Sequence, residues 1–552
     1  MSIDLIWLSS RNSAPAWPHG NVYVVPPCPD KISEFIQSNI NTNDTGAWLF
    51  WDSALDLPPF PLINEFTNSI DDVWHAGLAL GTGGQPDFID YVDPTWMLNR
   101  DPDPGIEATS WRLSLRACLI KTNVLRQMGG PLPEFSSLEA AGLEMGLRYI
   151  RHGVFVRHVP NLITTGLVHQ SVNLPLQDQL RFLLAGYGKT WTRWACVRTV
   201  LSGETSITQI LRAWRKNRTT GSKSRVKPYQ RPKLSEPSGR VEGRVTVLIP
   251  TVNRYPYLRV LLAQLREQSV RPFEILVIDQ TPTEERDVHL AQDFSDLPIQ
   301  FLFMDQAGQC SSRNLGLAYA HGDYILFLDD DEEIARDFIR HHLINISVFK
   351  TNASSGIVTE VRSDPIPYHF SFIRISDVFP AGNSLINYTV LRKSGLFDLA
   401  YDRGQRADGD LGMRIYLSGE RMILNPEITI LHHHAPQGGL RTHKARVNTH
   451  AASRKKISLR VLPSVSDIYL SRRYFSPRQV REMLWISVLG TFSIHGPWWK
   501  KMFKALLSFV ALPSTVWRIR RRYQAVTMML EVFPQIPHLT LEESLDRALA
   551  DS

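Results

Sequence analysis

Apolar and polar positions alternate between two rhythms across residues 244–330. Arg244-Val-Thr-Val-Leu-Ile-Pro250 is an apolar, β-branched run stopped by proline, which predicts a strand buried on both faces. Leu258, Leu261, Leu262 and Leu265 then recur at helical spacing over residues 257–268. Glu274-Ile-Leu-Val-Ile-Asp279 predicts a second strand, residues 311–320 a helix, and Tyr324-Ile-Leu-Phe-Leu-Asp329 a third strand. This order predicts a doubly wound α/β sheet with right-handed crossovers. Ligands bind such sheets beyond the carboxyl ends of the strands, where Asp279 and Asp329 stand.

The remaining chain divides around this block. Residues 1–202 mix short apolar strands with helical stretches. Residues 203–243 are polar and basic, with Pro228, Pro232 and Pro237, and read as a linker. Residues 244–440 hold the α/β block, and residues 441–552 form a basic, helical C-terminal region. An internal repeat joins the first and third parts. The stretch from Cys118 to Thr164 aligns without a gap onto that from Ser384 to Ile430 at a constant offset of 266, with eleven identities in 47 positions. Gly129, Gly146, Arg148, Gly153 and Pro160 meet Gly395, Gly412, Arg414, Gly419 and Pro426. Trp48-Leu-Phe-Trp-Asp52 likewise resembles Ile325-Leu-Phe-Leu-Asp329, so two copies of one fold are expected.

Composition narrows the class. With 43% hydrophobic and 21% charged residues the chain is expected to be globular. Four cysteines without paired spacing argue against a disulfide framework or a cysteine zinc site, and suggest a reducing compartment. The N-terminal residues lack the charged-then-apolar pattern of a secretory signal, and no run reaches the roughly 18 apolar residues of a membrane span. Charge is segregated. Between Arg441 and Leu530 there are 18 Lys or Arg against two acids, Asp467 and Glu482, so this stretch is +16 in a chain of net charge +7. Aromatics interleave with these bases in Gly496-Pro-Trp-Trp-Lys-Lys-Met-Phe-Lys504 and Val516-Trp-Arg-Ile-Arg-Arg-Arg-Tyr523. The composition suits an anionic membrane surface through residues 441–530, with a packed helical bundle as the competing reading. No nucleic-acid motif accompanies the charge, so no nucleic-acid partner is expected. The expected location is cytoplasmic, peripheral on the inner face of the plasma membrane.

The densest chemistry is Leu328-Asp-Asp-Asp-Glu-Glu333. A strand ending in consecutive carboxylates is electrostatically costly unless a cation is near, and hard oxygens suit Mg²⁺ or Mn²⁺. Taken alone, the run reads better as a solvated helix N-terminus, where acids are favoured by the dipole. Its neighbours change that. Val247-Leu-Ile-Pro-Thr-Val-Asn253, Glu274-Ile-Leu-Val-Ile-Asp279, Ser312-Arg-Asn-Leu-Gly316 and Gly322-Asp-Tyr-Ile-Leu-Phe-Leu-Asp-Asp-Asp331 follow in order. Together they resemble the family-2 glycosyltransferases of GT-A fold over residues 244–440.

The resemblance implies roles position by position. Pro250, Thr251 and Asn253 would line the nucleotide pocket, and Asp279 would accept a hydrogen bond from the base, uracil in many relatives. The second acid often found after that aspartate is Gln280 here. Arg313, Asn314 and Asp330 would lie beside the nucleotide sugar. Asp329 and Asp331 would hold Mn²⁺ or Mg²⁺ through the diphosphate. In Arg406-Ala-Asp-Gly-Asp-Leu-Gly-Met-Arg414, Asp408 matches the family's general base, although Ala407 replaces the usual preceding acid. A single base without an enzyme nucleophile implies inversion. Asp408 and Asp410 also suit a helix cap. In Ile430-Leu-His-His-His434, His432 has the family spacing from Pro426 for a metal ligand, and His434 would share its strand face. Arg441, in Gly438-Gly-Leu-Arg-Thr-His443, would contact donor phosphate from a closing loop or belong to a flexible exit from the domain.

In the first copy, Asp52-Ser-Ala54 lacks the second acid, while Gly142 and Gly166 replace Asp408 and His432. That copy reads as an inert scaffold or an acceptor platform. The expected activity is inverting transfer of a sugar from a nucleoside diphosphate, UDP favoured, to a glycan or lipid-linked acceptor in cell-surface polysaccharide synthesis. A nucleotidyltransferase and a non-catalytic sugar-binding protein are the alternatives.

Overall fold

A computed structural model describes the chain apart from residues 1, 12, 42–44, 68, 84–86, 93–95, 165–171, 218–225, 233–242, 361–365, 377, 437, 439–452 and 540–552. The chain forms two compact units, residues 1–233 and 234–552.

Unit 1 holds strands β1 (Ile3–Leu8), β2 (Val22–Val25), β3 (Ala47–Asp52), β4 (Val73–His75), β5 (Ala108–Thr109), β6 (Ala117–Lys121) and β7 (Val156–His158). They form one sheet in the order β2-β1-β3-β6-β4-β7-β5. Unit 2 holds β8 (Val245–Thr251), β9 (Glu274–Asp279), β10 (Ile299–Phe303), β11 (Tyr324–Phe327), β12 (Glu332–Ile334), β13 (Ala353–Glu360), β14 (Arg374–Ile375), β15 (Ser384–Asn387) and β16 (Met422–His432). Their order is β10-β9-β8-β11-β15-β13-β16-β12, with β14 also on β16. The fold is mixed α/β. Its sheet is parallel through β10, β9, β8 and β11 and turns antiparallel at β15.

From β9 onward the unit 2 sheet repeats the directions of the unit 1 sheet. Two parallel pairings are followed by two antiparallel, one parallel and one antiparallel. The helices Thr122–Met128 and Tyr388–Ser394 each end on a glycine with positive φ, 73° at Gly129 and 75° at Gly395. Arg148 donates to the Met128 carbonyl, and Arg414 donates to the Ser394 carbonyl.

The strands of unit 2 are buried on both faces, as their unbroken apolar runs require. Val245, Val247 and Ile249 pack on Leu258, Leu261, Leu262 and Leu265 of the helix Tyr255–Arg266. On the opposite face Leu248, Ile325 and Phe327 join Leu317, Leu411 and Ile415. Ile468, Tyr469 and Val526 belong to that same cluster. The region beginning at residue 441, read from sequence as a separate domain, is therefore part of unit 2: its helices Val465–Tyr474 and Leu512–Val532 complete the apolar layer. The stretch read as a linker is also partly folded. The helix Ile207–Lys216 begins with a capping box between Ser206 and Gln209. Arg231 pairs with buried Asp72 at 2.6 Å and lies 3.6 Å over the Phe155 ring. Composition suggested a linker, but a helix-capping signal and an arginine with a buried partner override it.

The helix Ala407–Leu417 is fixed by a buried ion pair. Asp410 is fully buried, lies 2.7 Å from Arg414 and accepts from the Tyr474 hydroxyl at 2.6 Å. Asp410→Ala would leave the Arg414 charge uncompensated in the core, at a cost of about 3–5 kcal/mol. Urea denaturation of the two proteins should show that difference in unfolding free energy.

Candidate functional site

The carboxyl ends of β9 and β11 carry the acidic residues, and the elements around them supply the balancing cations. Beyond β11, Asp329 is partly exposed and lies 2.7 Å from Arg313 of the helix Gln309–Tyr319. Asp330 and Asp331 are buried and share Arg254, at 2.9 and 3.2 Å. Thr251 donates to Asp330 at 2.8 Å. Asp331 accepts from the Ala435 amide at 2.7 Å and lies 3.3 Å from His432 Nε2. Glu332 is buried and accepts from the Asp329 amide at 2.9 Å, which ties the acidic turn together.

These environments separate the carboxyls. Burial raises Asp330, and the neighbouring Asp331 adds to it against Arg254, so its pKa is pushed up to about 6. Burial acts the same way on Asp331, but His432, Arg254 and the Ala435 amide outweigh it and hold that carboxyl well below the usual range. Burial works against the charged form of His432, yet Asp331 and Asp329 leave its pKa raised. Burial pushes Glu332 well up, with Asp329 next in effect.

Asp331 Oδ1 is buried without a hydrogen bond, and it faces an imidazole nitrogen. A carboxylate oxygen beside an imidazole nitrogen suits Mn²⁺ or Mg²⁺, which commonly bind through one or two protein ligands, waters and substrate phosphates. Among the described residues no three His, Cys, Asp or Glu side chains converge on one point. The sequence-based set of four is thus only partly assembled. Asp331 and His432 come together; Asp329 is turned to Arg313; and His434, whose φ is 52°, pairs with Glu360 at 2.9 Å. The two imidazole rings nonetheless lie 4.1 Å apart. The intervening His433 pairs with Glu333.

Around the nucleotide side, Pro250 is partly exposed at the end of β8, and Asn253 is exposed in a left-handed conformation. Its amide donates to Thr281 Oγ1 at 3.0 Å, and its side chain donates to Glu285 at 2.8 Å. Asp279 accepts from Tyr255 at 2.7 Å and from the Thr281 amide at 2.9 Å. Gln280 accepts from the Gly308 amide at 2.7 Å, so the position where an acid was expected instead fixes the start of the Arg313 helix. Asn314 does not join the cluster. Both ends of its amide are committed to the Phe397 backbone, at 2.8 and 2.9 Å, which makes it a pin between two elements. Arg441 lies outside the described residues; Gly438, just before it, accepts from Arg254 at 3.3 Å.

Asp408 sits in the first turn of its helix, and its carboxylate accepts from the next amide, of Gly409, at 2.8 Å. The side chain is open to solvent yet crowded by protein. That crowding raises its pKa, and Arg406, Arg313 and Asp329 all act on it electrostatically. Asp408 thus lies within electrostatic reach of Asp329 and Arg313. Arg406 immediately precedes the helix with a φ of 80°, and donates to Asp467 at 2.6 Å. A non-glycine residue in this conformation costs roughly 1–2 kcal/mol, so the Asp467 contact helps to hold the turn. Asp402 accepts from the Cys310 and Ser311 amides at 2.9 and 2.7 Å, which couples the loop before Asp408 to the helix of Arg313.

Three of these residues were missed by sequence reasoning: Arg254, Asp402 and Asp467. Arg254 directly follows Asn253, and an acidic run at a buried strand end calls for such a cation.

In unit 1, Asp52 ends β3 and pairs with Arg116 at 2.7 Å, much as Asp329 pairs with Arg313. Gly142 occupies the position 266 before Asp408, and a Cβ there would lie 2.7 Å from the Leu113 carbonyl. At Gly146 it would lie 2.1 Å from the Trp111 carbonyl. The unit's own backbone fills this face. Gly166 lies outside the described residues.

Residues 246–387 match the family model "Glycosyl transferase family 2". This segment is a family-2 glycosyltransferase domain. The glycosyltransferase domain is similar to that of curated relatives. Glycosyltransferase GlyA of Streptococcus pneumoniae is 24% identical over 205 residues, 33% of this chain and 29% of that protein. The amylovoran biosynthesis glycosyltransferase AmsB of Erwinia amylovora is 25% identical over 141 residues, 25% of this chain and 46% of that protein. The chain thus spans less than half the length of these two relatives. Among solved structures, the mannosyltransferase PcManGT of Pyrobaculum calidifontis is 17% identical, covers 58% of this chain and 93% of its own, and has a TM-score of 0.35.

Arg254→Gln would leave two buried carboxylates without their shared cation, at a cost of about 3–5 kcal/mol, while Arg254→Lys should retain part of it. Chemical denaturation in EDTA should rank the proteins wild type, Lys, Gln.

Proposed function

We propose that the chain is an inverting, metal-dependent glycosyltransferase. It moves a sugar from a nucleoside-diphosphate sugar, UDP favoured, to a glycan or lipid-linked acceptor. The reading is supported by the Asp331–His432 pair within the Asp329-Asp-Asp331 turn, and by the solvent-open Asp408 on its helix within electrostatic reach of Asp329 and Arg313. The name of AmsB, an amylovoran biosynthesis enzyme, supports polysaccharide synthesis as the setting.

Asp331 and His432 would hold Mn²⁺ or Mg²⁺, with Asp329 beside them. The bound cation would supply charge neutralisation at the donor diphosphate. Arg313 and Arg254 add fixed positive charge on the same side. Asp279, at the end of β9, retains lone pairs for a donor from the base. Asp408 takes the proton of the acceptor hydroxyl as that oxygen bonds to the anomeric carbon. The bond from that carbon to the diphosphate oxygen breaks, and the nucleoside diphosphate leaves with the electron pair. A raised carboxyl pKa makes Asp408 a stronger base than a free aspartate. One displacement inverts the anomeric centre. Unit 1, with its equivalent face filled around Gly142, acts as a non-catalytic scaffold.

The test is turnover of UDP-, GDP- and dTDP-sugars with Mn²⁺ or Mg²⁺. One donor should release nucleoside diphosphate only with metal, and Asp331→Ala should abolish release. Pyrophosphate as the product would instead assign nucleotidyl transfer.

The base assignment has its own signature. With acceptor present, Asp408→Asn should lower kcat by roughly 10²–10⁴-fold. Because the Asp408 pKa lies above its ordinary 3.8, wild-type kcat/KM should rise with pH through that raised value and then level off. A pH–rate profile of Asp408→Asn should lack this acid limb; an unchanged limb would remove Asp408 from the role.

A further inference from the structure

The helix Trp498–Val510 is folded inside out. Its buried residues are polar, Lys504 and Ser508, one turn apart. Lys504 donates to the carbonyls of Ser453, Lys456 and Leu459, and Ser508 donates to that of Thr491. Trp498, Trp499, Met502, Phe503, Leu506 and Phe509 are each more than half exposed. At about 100° per residue these six centre on the side opposite Lys504. A helix that packs on a water-facing protein buries its apolar stripe, and this one presents it. Scattered exposed apolar residues are ordinary, whereas a contiguous aromatic stripe marks an interaction surface.

The surrounding charge identifies the occupant. From Trp498 to Leu530 there are seven Lys or Arg and no acid. They divide by role. Lys504 and Arg522 are turned to backbone carbonyls within the unit. Lys501, Arg518, Arg520 and Arg521 are exposed, and the partly exposed Lys500 lies 5.3 Å from the Trp499 ring. The next helix, Leu512–Val532, meets the first at 59° and extends the apolar surface with Val516 and with Trp517, whose ring lies 5.5 Å from Arg521. Apolar rings flanked by bases match the acyl boundary and anionic headgroups of a bilayer.

We propose that this face is a membrane-interface anchor, with the helix Trp498–Val510 lying in the plane of an anionic bilayer, its aromatic stripe among the acyl chains and the exposed bases on the headgroups. No single described helix is long and apolar enough to cross a bilayer; the two together are, across their 59° bend, but the second helix argues against a broken span. The second helix carries Arg518, Arg520, Arg521 and Arg522 at its middle, and its Val526 is packed in the core of unit 2. Of the basic stretch 441–530, the anchor is thereby narrowed to the helix Trp498–Val510 and the start of the one after it. This inference stands apart from the glycosyltransferase reading, since lipid binding is measured without turnover.

The test is flotation of the full chain with vesicles of phosphatidylcholine alone or with about 30% phosphatidylglycerol. Wild type should float with the anionic vesicles and be released in part by high salt. Trp498→Ser with Trp499→Ser should weaken partitioning by roughly a hundredfold. Arg518→Gln with Arg520→Gln and Arg521→Gln should do so on the order of a hundredfold. Both variants should keep the wild-type melting temperature, because the substituted side chains are exposed. Absence of flotation, equal flotation with neutral vesicles, or flotation unchanged in the tryptophan variant would overturn the proposal. A wild-type dimer in solution dispersed by the tryptophan substitutions would assign the face to a second copy and overturn it too.

Discussion

Three consecutive carboxylates at the end of a buried strand are the constraint that organises unit 2. Asp329, Asp330 and Asp331 repel one another, and two of them are withdrawn from water. Their charge is met from three directions: Arg254 from the turn after β8, Arg313 from the helix Gln309–Tyr319, and His432 from the end of β16. Each cation belongs to a different element. The arrangement exists only when β8, β11 and β16 and that helix are all in place, so it depends on the tertiary fold rather than on any one segment.

A second set of contacts fixes the opposite wall. Asp408 has little to hold its carboxylate beyond a neighbouring amide, so its position rests on its helix. That helix is tied by the buried Asp410–Arg414 pair, by Tyr474 and, at its start, by Asp467 beneath Arg406. The preceding loop is tied through Asp402 to the helix that carries Arg313. The candidate base and the acidic turn are thus joined by short routes through protein on both sides.

Much of this was legible in the sequence because it follows from local rules. The run from Val245 to Thr251 and the leucines at 258, 261, 262 and 265 declare a doubly buried strand and its covering helix. The strand pattern placed Asp279 and Asp329 at the carboxyl ends of their strands, where they stand. What escaped was partner choice. Asn314 sits in a matching motif but spends its amide on Phe397, and Asp410 became a core ion pair rather than a cap. Arg254 went unread because its partners lie some 76 residues away, and sequence spacing carries no information on such pairings. Residues 207–216 fall within a stretch whose bases and prolines read as linker; their burial is confined to a narrow stripe, Ile210 and Ala213, that composition averages away.

The left-handed turn at Arg406 has a consequence for how this chain can change. The residue that steadies it, Asp467, lies beyond the family-matched segment, in the region that presents the aromatic helix outward. That region is therefore not an interchangeable module. Exchanging it for another chain's tail would remove the counterion under Arg406 along with the tail, and a protein trimmed to residues 246–387 would keep the acidic turn but lose Arg406, Asp408 and His432 outright.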